Sequence, residues 1–126
     1  MIQKTSVTET ILLVDDEEFL RKCLSGLLAF EGYKVILAED GHEAVDTYRE
    51  NIDSVDLVLM DITMPNKDGI TAYKEIMEIN PQQRIILMSG YSAKSLGELG
   101  KINFIQKPMP PSELFINIRA VLDSVR

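Results

Sequence analysis

Residues 10–16 read TILLVDD, and this stretch decides the fold of the chain. Its first part, Thr10–Val14, shows no alternation of apolar and polar residues. An unbroken apolar run of this length predicts a strand that is buried on both faces, as in a parallel sheet. Two carboxylates, Asp15 and Asp16, follow directly, so acidic side chains stand at the carboxyl end of the predicted strand.

Outward from this strand, short apolar runs alternate with helical patterns. Leu20, Leu24, Leu27 and Leu28 have the spacing of one helix face, and Gly32 suits the residue just past the end of that helix. The predicted strands are Thr10–Val14, Lys34–Ala38, 56–60, 84–88 and Asn103–Gln106, and the predicted helices are 17–31, 41–51, 70–79 and 112–124. The alternation predicts a flavodoxin-like (βα)5 three-layer α/β sandwich with parallel strands in the order 2-1-3-4-5.

Length and charge limit what the chain can do. Its 126 residues suit one domain, which we place at residues 10–126, behind a flexible lead-in at 1–9. Its 13 basic and 20 acidic residues give a net charge of −7, which disfavours direct binding to nucleic acid. No apolar run approaches the roughly 20 residues of a membrane-spanning helix, and residues 1–9 lack a signal-peptide pattern. We therefore expect a cytoplasmic domain without a membrane segment.

Two further residue types occur once each. The single cysteine, Cys23, excludes a disulfide within the chain, and its leucine neighbours predict a buried thiol in a reducing compartment. The single histidine, His42, lies near a helix start and is expected to be an ordinary exposed residue.

Polar side chains follow four of the predicted strands. Asp15 and Asp16 follow the first, Asp61 the third, Ser89 the fourth and Lys107 the fifth. These four strands are neighbours in the predicted order, and ligands in such sheets bind at the carboxyl ends of the strands. We therefore expect three carboxylates, one hydroxyl and one ammonium to converge on one rim of the sheet.

Converging carboxylates repel one another unless a cation joins them. Oxygen ligands with room for water suit Mg²⁺, and the sequence has no histidine or cysteine cluster for zinc. Beside Mg²⁺, one carboxylate can act as a nucleophile on a phosphoryl donor. Phosphoryl transfer needs charge neutralisation and positioning, which Lys107 and the Ser89 hydroxyl would assist.

Four motifs carry a family resemblance. LLVDDEE (12–18), LVLMDITMP (57–65), LMSG (87–90) and FIQKP (104–108) resemble the motifs of response-regulator receiver domains of two-component signalling. The resemblance covers residues 10–125. The roles it implies are Asp61 as phosphoacceptor, Asp16 as direct metal ligand, Asp15 as ligand largely through water, the Thr63 carbonyl as a further ligand, Ser89 as switch hydroxyl, Phe104 as switch aromatic and Lys107 as phosphate-binding lysine. The family often has a cis bond at the position of Lys107–Pro108, but only about 5–6% of such bonds in folded proteins are cis, so the sequence leaves the isomer of this bond open.

The resemblance further implies partners and a mode of action. The phosphoryl donor would be the phosphohistidine of a histidine kinase or a histidine phosphotransfer domain, docking on the first helix near Phe19 and Leu20. The domain would phosphorylate itself and slowly lose the phosphate, without being a conventional turnover enzyme. It is either a stand-alone regulator or the terminal receiver of a hybrid histidine kinase, and the segments TETILLVDDEE and MSGYS favour the latter.

Two features depart from the family pattern. Phe104 has no hydroxyl, so packing alone would drive its switching. The span from Ser89 to Phe104 is short by about one helical turn, and Gly90, Gly97 and Gly100 weaken a helix there. We therefore expect the family's fourth helix to be short or disordered, which affects the output face more than the phosphorylation site.

Three alternatives compete with the receiver interpretation. A haloacid-dehalogenase-like phosphatase would need a second aspartate where Thr63 stands. A flavodoxin-like electron carrier would need a hydroxyl-rich phosphate loop where Asp15 and Asp16 stand. A receiver that never takes phosphate and serves as a binding module is the third.

Overall fold

The five predicted strands pair into one sheet. The computed structural model describes residues 9–64, 67–90 and 102–124. The strands are β1 (Thr10–Val14), β2 (Lys34–Ala38), β3 (Leu57–Asp61), β4 (Arg84–Ser89) and β5 (Asn103–Gln106), and the helices are α1 (Glu18–Phe30), α2 (Gly41–Glu50), α3 (Gly69–Ile79) and α4 (Pro111–Asp123). All pairings are parallel, and the order is β2-β1-β3-β4-β5, as predicted.

The sheet lies between two helical layers. Ile11 and Leu13 of β1 belong to an apolar cluster that includes Leu28 of α1 and Leu114 of α4. The next residues along β1 belong to the other cluster, which includes side chains of α2 and α3. Because alternate strand residues face opposite sides of a sheet, the unbroken apolar run of β1 serves both clusters, and its five residues are all buried.

Helix ends follow the predicted signals to within one or two residues. Asp40 caps α2 by accepting a hydrogen bond from the Glu43 N–H at 2.8 Å, and Asp68 caps α3 through the Thr71 N–H at 2.8 Å. Beyond α1, Gly32 has a φ of 106°, a conformation that costs glycine little because it lacks a Cβ.

The prediction that Cys23 is buried is wrong, because its side chain is exposed. Of the four leucines predicted to share one face of α1, Leu24 and Leu28 define the inward stripe, whereas Leu27 is 37% exposed. One residue corresponds to about 100° of rotation around a helix, so Cys23 lies to the side of that stripe. The angular position of Cys23 on the helix therefore predicts its exposure better than the types of its neighbouring residues do.

Some predictions fall outside the described residues. These are most of the lead-in, residues 1–8, and most of the span expected to hold the family's short fourth helix, residues 91–101. Within the described part of the chain, no helix is both long and apolar enough to cross a membrane.

Candidate functional site

The chemically active side chains meet at the carboxyl edge of the sheet. Asp61 and Ser89 are the last residues of β3 and β4, whereas the sequence placed them just after those strands. The ladders reach this far because Asp61 pairs with Met88 and Ser89 pairs with Gln106. Both side chains are therefore held by sheet backbone rather than by a loop.

Lys107 joins two of the carboxylates. Its Nζ lies 3.2 Å from Asp61 Oδ2 and 3.3 Å from Asp15 Oδ2. Its own N–H donates to the Ser89 carbonyl at 2.8 Å, which ties the turn after β5 to the end of β4. Asp15 is fully buried and Asp61 is 6% exposed, so this ion pair is shielded from bulk water on the acidic side.

Burial and neighbouring charges shift the pKa values of Asp61 and Lys107 at this edge. Burial raises the pKa of the Asp61 carboxyl, and the neighbouring Lys107 offsets this only in part. Burial by itself would lower the pKa of Lys107, but Asp61 and Asp15 together outweigh it, so the pKa of Lys107 is raised. One ammonium is thus not enough to neutralise the acidic groups around it.

The third carboxylate completes a cluster with metal-ligand geometry. Asp15, Asp16 and Asp61 each offer a carboxylate oxygen, and these oxygens lie within 4.8 Å of one another. Asp16 is exposed, in contrast to its two partners. Hard oxygen donors with one side open to water fit Mg²⁺, which keeps several waters when bound to protein. The donor set therefore fits the expected cation.

Of the remaining predicted residues, Thr63 and Ser89 lie at the same edge, whereas Phe104 lies within β5 and pairs with Leu87. Thr63 is exposed, and its N–H donates to Asp61 Oδ1 at 3.3 Å. Ser89 is buried at the end of β4, and Phe104 is half-buried and packs against the cluster that contains α2 and α3 residues. The Lys107–Pro108 bond is cis. The switch roles of Ser89 and Phe104 and the carbonyl ligand of Thr63 stay predictions.

His42 stands apart from this edge. Its imidazole is exposed and lies 3.3 Å from the carboxylate of Asp46, one turn along α2. The expectation of an ordinary surface residue is confirmed in its exposure.

Two supports of the site were not predicted from the sequence. Asp15 accepts a hydrogen bond from the Glu17 N–H at 2.9 Å, and its carbonyl accepts one from the Arg21 guanidinium at 2.7 Å. The chain after Asp61 is also closely packed by Gly41 and Gly69. The sequence does contain a pattern that could have indicated both glycines. Each one directly follows the aspartate that caps its helix, so both lie in Asp-Gly dipeptides.

Comparisons with known proteins agree on one family. A model of the response regulator receiver domain matches residues 11–119. The chemotaxis protein CheY of Bacillus subtilis is 42% identical over 118 residues, covering 90% of this chain and 97% of the relative. A solved CheX–CheY–BeF3–Mg²⁺ complex from Borrelia burgdorferi matches with a TM-score of 0.85 and 34% identity, over 92% of this chain and 90% of that one. The receiver domain of the hybrid histidine kinase CckA matches with a TM-score of 0.79 and 31% identity, over 90% and 99%.

Proposed function

The chain belongs to the response regulator receiver domain family of two-component signalling, and we propose that Asp61 is its phosphoryl acceptor in a Mg²⁺ site. The observation that carries this proposal is the placement of Lys107, whose ammonium lies within 3.3 Å of both Asp15 and Asp61. Asp61 is thereby next to one ammonium and to the carboxylates of Asp15 and Asp16.

The chain's own groups assign the steps of the transfer. An Asp61 oxygen attacks the phosphorus of a phosphohistidine, and a P–O bond forms as the P–N bond breaks. The electron pair of the broken bond returns to the imidazole nitrogen, which takes a proton from water. Lys107 neutralises charge on the transferred group, and the Ser89 hydroxyl donates to one of its oxygens.

The proposed cation site uses the acidic cluster. Asp16 and Asp61 would hold Mg²⁺ directly, Asp15 largely through water, and the Thr63 carbonyl would add a ligand. The bound ion supplies positive charge that lets a carboxylate approach an anionic phosphoryl group. The solved CheX–CheY complex from Borrelia burgdorferi contains BeF3 and Mg²⁺, which supports Mg²⁺ as the cation proposed here.

The proposed donor is the phosphohistidine of a histidine kinase or a histidine phosphotransfer domain. The outer face of α1 suits such docking, because Phe19, in the first turn of the helix beside the acidic edge, is 77% exposed. Phe30, at the far end of the same helix, is 88% exposed. Exposed aromatic side chains of this size are typical of interaction surfaces. After transfer, Ser89 and Phe104 would shift between two packings and alter the output face.

The setting of the domain belongs to the same proposal. Similarity to the CckA receiver supports the terminal receiver of a hybrid histidine kinase as one setting, and similarity to CheY supports a stand-alone regulator as the other. The domain extent of 10–126, the cytoplasmic location and the slow self-dephosphorylation stay predictions. The family match leaves the phosphatase and the electron carrier without support.

Intact-mass measurement tests the phosphoacceptor. Incubation with acetyl phosphate and Mg²⁺ should add one phosphoryl group to the wild-type protein and none to Asp61→Asn. Asp56→Asn is the matched control, because Asp56 lies just before the other end of β3, where its carboxylate accepts a hydrogen bond from the Thr10 N–H at 2.8 Å. A wild-type protein that is folded but gains no mass would favour the binding-module alternative instead.

A further inference from the structure

Two glycines at the starts of α2 and α3 pack tightly against the chain that leaves Asp61. A Cβ at Gly69 would lie 2.3 Å from the Asp61 carbonyl oxygen, and a Cβ at Gly41 would lie 2.1 Å from the Lys67 carbonyl oxygen. Both distances are far below a van der Waals contact. The neighbours in both cases are backbone atoms, so a larger residue could not be accommodated by a side-chain rotation.

The same two glycines hold this backbone by hydrogen bonds. The Gly69 N–H donates to the Ile62 carbonyl at 2.8 Å, one residue beyond Asp61. The Gly41 N–H donates to the Lys67 carbonyl at 3.0 Å. Ile62, the residue before Thr63, is therefore held by the start of α3, and Lys67, four residues after Thr63, is held by the start of α2.

Lys67 is held a second time through its side chain. Its Nζ lies 2.7 Å from Glu75 Oε1 on α3, and both side chains are about one quarter to one third exposed, at 23% and 32%. Lys67 thus contacts α2 through its backbone carbonyl and α3 through its side-chain ammonium. A partly buried ion pair of this length limits the positions that Lys67 can take.

We propose that this double hold on Lys67, by Gly41 and Glu75, positions the backbone after Asp61 and so sets the affinity of the Mg²⁺ site. The inference rests on the proposed function, because it concerns the same cation. Gly41 and Glu75 are positioning residues, since neither is among the carboxylates that would hold the ion. Partners that orient metal ligands typically change metal affinity by about 10- to 100-fold when they are removed.

Isothermal titration of the whole chain with Mg²⁺ alone is the direct test. Gly41→Ala should weaken Mg²⁺ binding by about tenfold, because the added methyl group forces the Lys67 carbonyl away. Gly26→Ala is the matched control, since a Cβ at Gly26 meets nothing within 4 Å, and its Mg²⁺ affinity should equal that of the wild type.

A purely structural role of Gly41 predicts a different pattern. Val45→Ala opens space under the same helix and should lower the urea midpoint of unfolding while leaving Mg²⁺ affinity unchanged. Gly41→Ala should instead lose Mg²⁺ affinity at a stability equal to that of Val45→Ala or higher. If Gly41→Ala binds Mg²⁺ as tightly as the wild type, the inference is overturned.

Glu75→Gln keeps the inference testable if Gly41→Ala does not fold. It frees the Lys67 side chain without adding a clash and should weaken Mg²⁺ binding by about threefold, below the range for a direct partner of a ligand. Glu78→Gln removes the same charge from an exposed position of α3 and should have no effect. Equal affinities for both variants would overturn the inference, whereas no Mg²⁺ binding by the wild type would overturn the proposed function together with it.

Discussion

The ammonium of Lys107 lies 3.2 Å from the carboxylate of Asp61, across 46 positions of the sequence. The same ammonium is 3.3 Å from Asp15, which lies 92 positions away. One ammonium therefore contacts carboxylates at the ends of both β3 and β1. A phosphoryl group transferred to Asp61, as proposed, would change these contacts, so we expect Lys107 to link phosphorylation to conformation.

Lys107→Ala should separate phosphorylation from its conformational consequence. The variant keeps the acidic cluster and should still bind Mg²⁺, but it lacks the ammonium that would bind the phosphoryl oxygens. Adding beryllofluoride and Mg²⁺ should shift the amide NMR spectrum of the wild type and leave that of Lys107→Ala nearly unchanged. Lys22→Ala removes an exposed lysine and should respond like the wild type. Equal spectral shifts in all three proteins would contradict the role of Lys107.

Asp61→Asn should make the metal-free domain more stable at neutral pH. The pKa of Asp61 is raised in the folded state, mainly by burial, so its ionised form opposes folding at pH values above the folded pKa. As the pH falls through the folded pKa toward the unfolded one, the wild-type carboxyl takes up a proton and this penalty disappears. The stability difference between variant and wild type should therefore be largest at neutral pH and shrink in acid. Urea unfolding in chelator at several pH values measures it, and a wild type more stable than Asp61→Asn at pH 7 would be inconsistent.

Mg²⁺ binding should weaken in acid for the same reason. A carboxyl must be ionised to hold a metal ion, and the raised pKa of Asp61 means that protons compete with Mg²⁺ at a higher pH than they would at an ordinary aspartate. Calorimetric titrations from pH 8 down to the usual pKa of an aspartate, about 3.9, should show weaker binding as the pH falls and a release of protons on binding in the acidic part of this range. An affinity independent of pH over this range would argue against Asp61 as a ligand.

Tyr48→Phe should lower stability without affecting the cation site. The Tyr48 side chain is fully buried, and its hydroxyl donates to Gln83 at 2.8 Å and accepts from Asn80 at 3.2 Å. Removing the hydroxyl leaves both amides short of a partner, which should lower the free energy of unfolding by about 1–2 kcal/mol. Urea titration checks the stability and calorimetry checks that Mg²⁺ affinity is retained. A stability unchanged within error would show that the two amides find other partners.

Cys23 should react as a surface thiol. Because its side chain is exposed, a thiol reagent should modify it in the native protein nearly as fast as in the urea-unfolded protein. Cys23→Ser should change the free energy of unfolding by no more than about 0.5 kcal/mol, as is usual for surface substitutions. Protection of the thiol in the folded state would show that the face of α1 is covered.

The alternation of apolar runs and helix patterns was enough to predict the five strands of the described part of the chain. Burial on both faces explains the apolar runs of β1, β3 and β4, whereas the edge strands β2 and β5 are only partly buried. The convergence of Asp15, Asp61 and Lys107 followed from strand order alone, since parallel strands end at one edge. The limits of β3 and β4 were less predictable, because the last ladder bonds depend on the register of the neighbouring strand. The exposure of Cys23 was not predicted because adjacent residues of a helix point in different directions, so a residue next to buried leucines can itself face solvent.

The sequence by itself thus determined which groups could meet at the acidic edge. Apolar runs, turn residues and the charged residues that follow strands can all be recognised from neighbouring positions. Folding in three dimensions settled how they meet. It buries Asp15 against distant strands while leaving Asp16 exposed, it brings Lys107 onto Asp15 and Asp61, and it packs Gly41 against Lys67. The physical reason is that these contacts join elements distant along the chain, whose spacing depends on the packing of every layer between them and not on any pattern of adjacent residues.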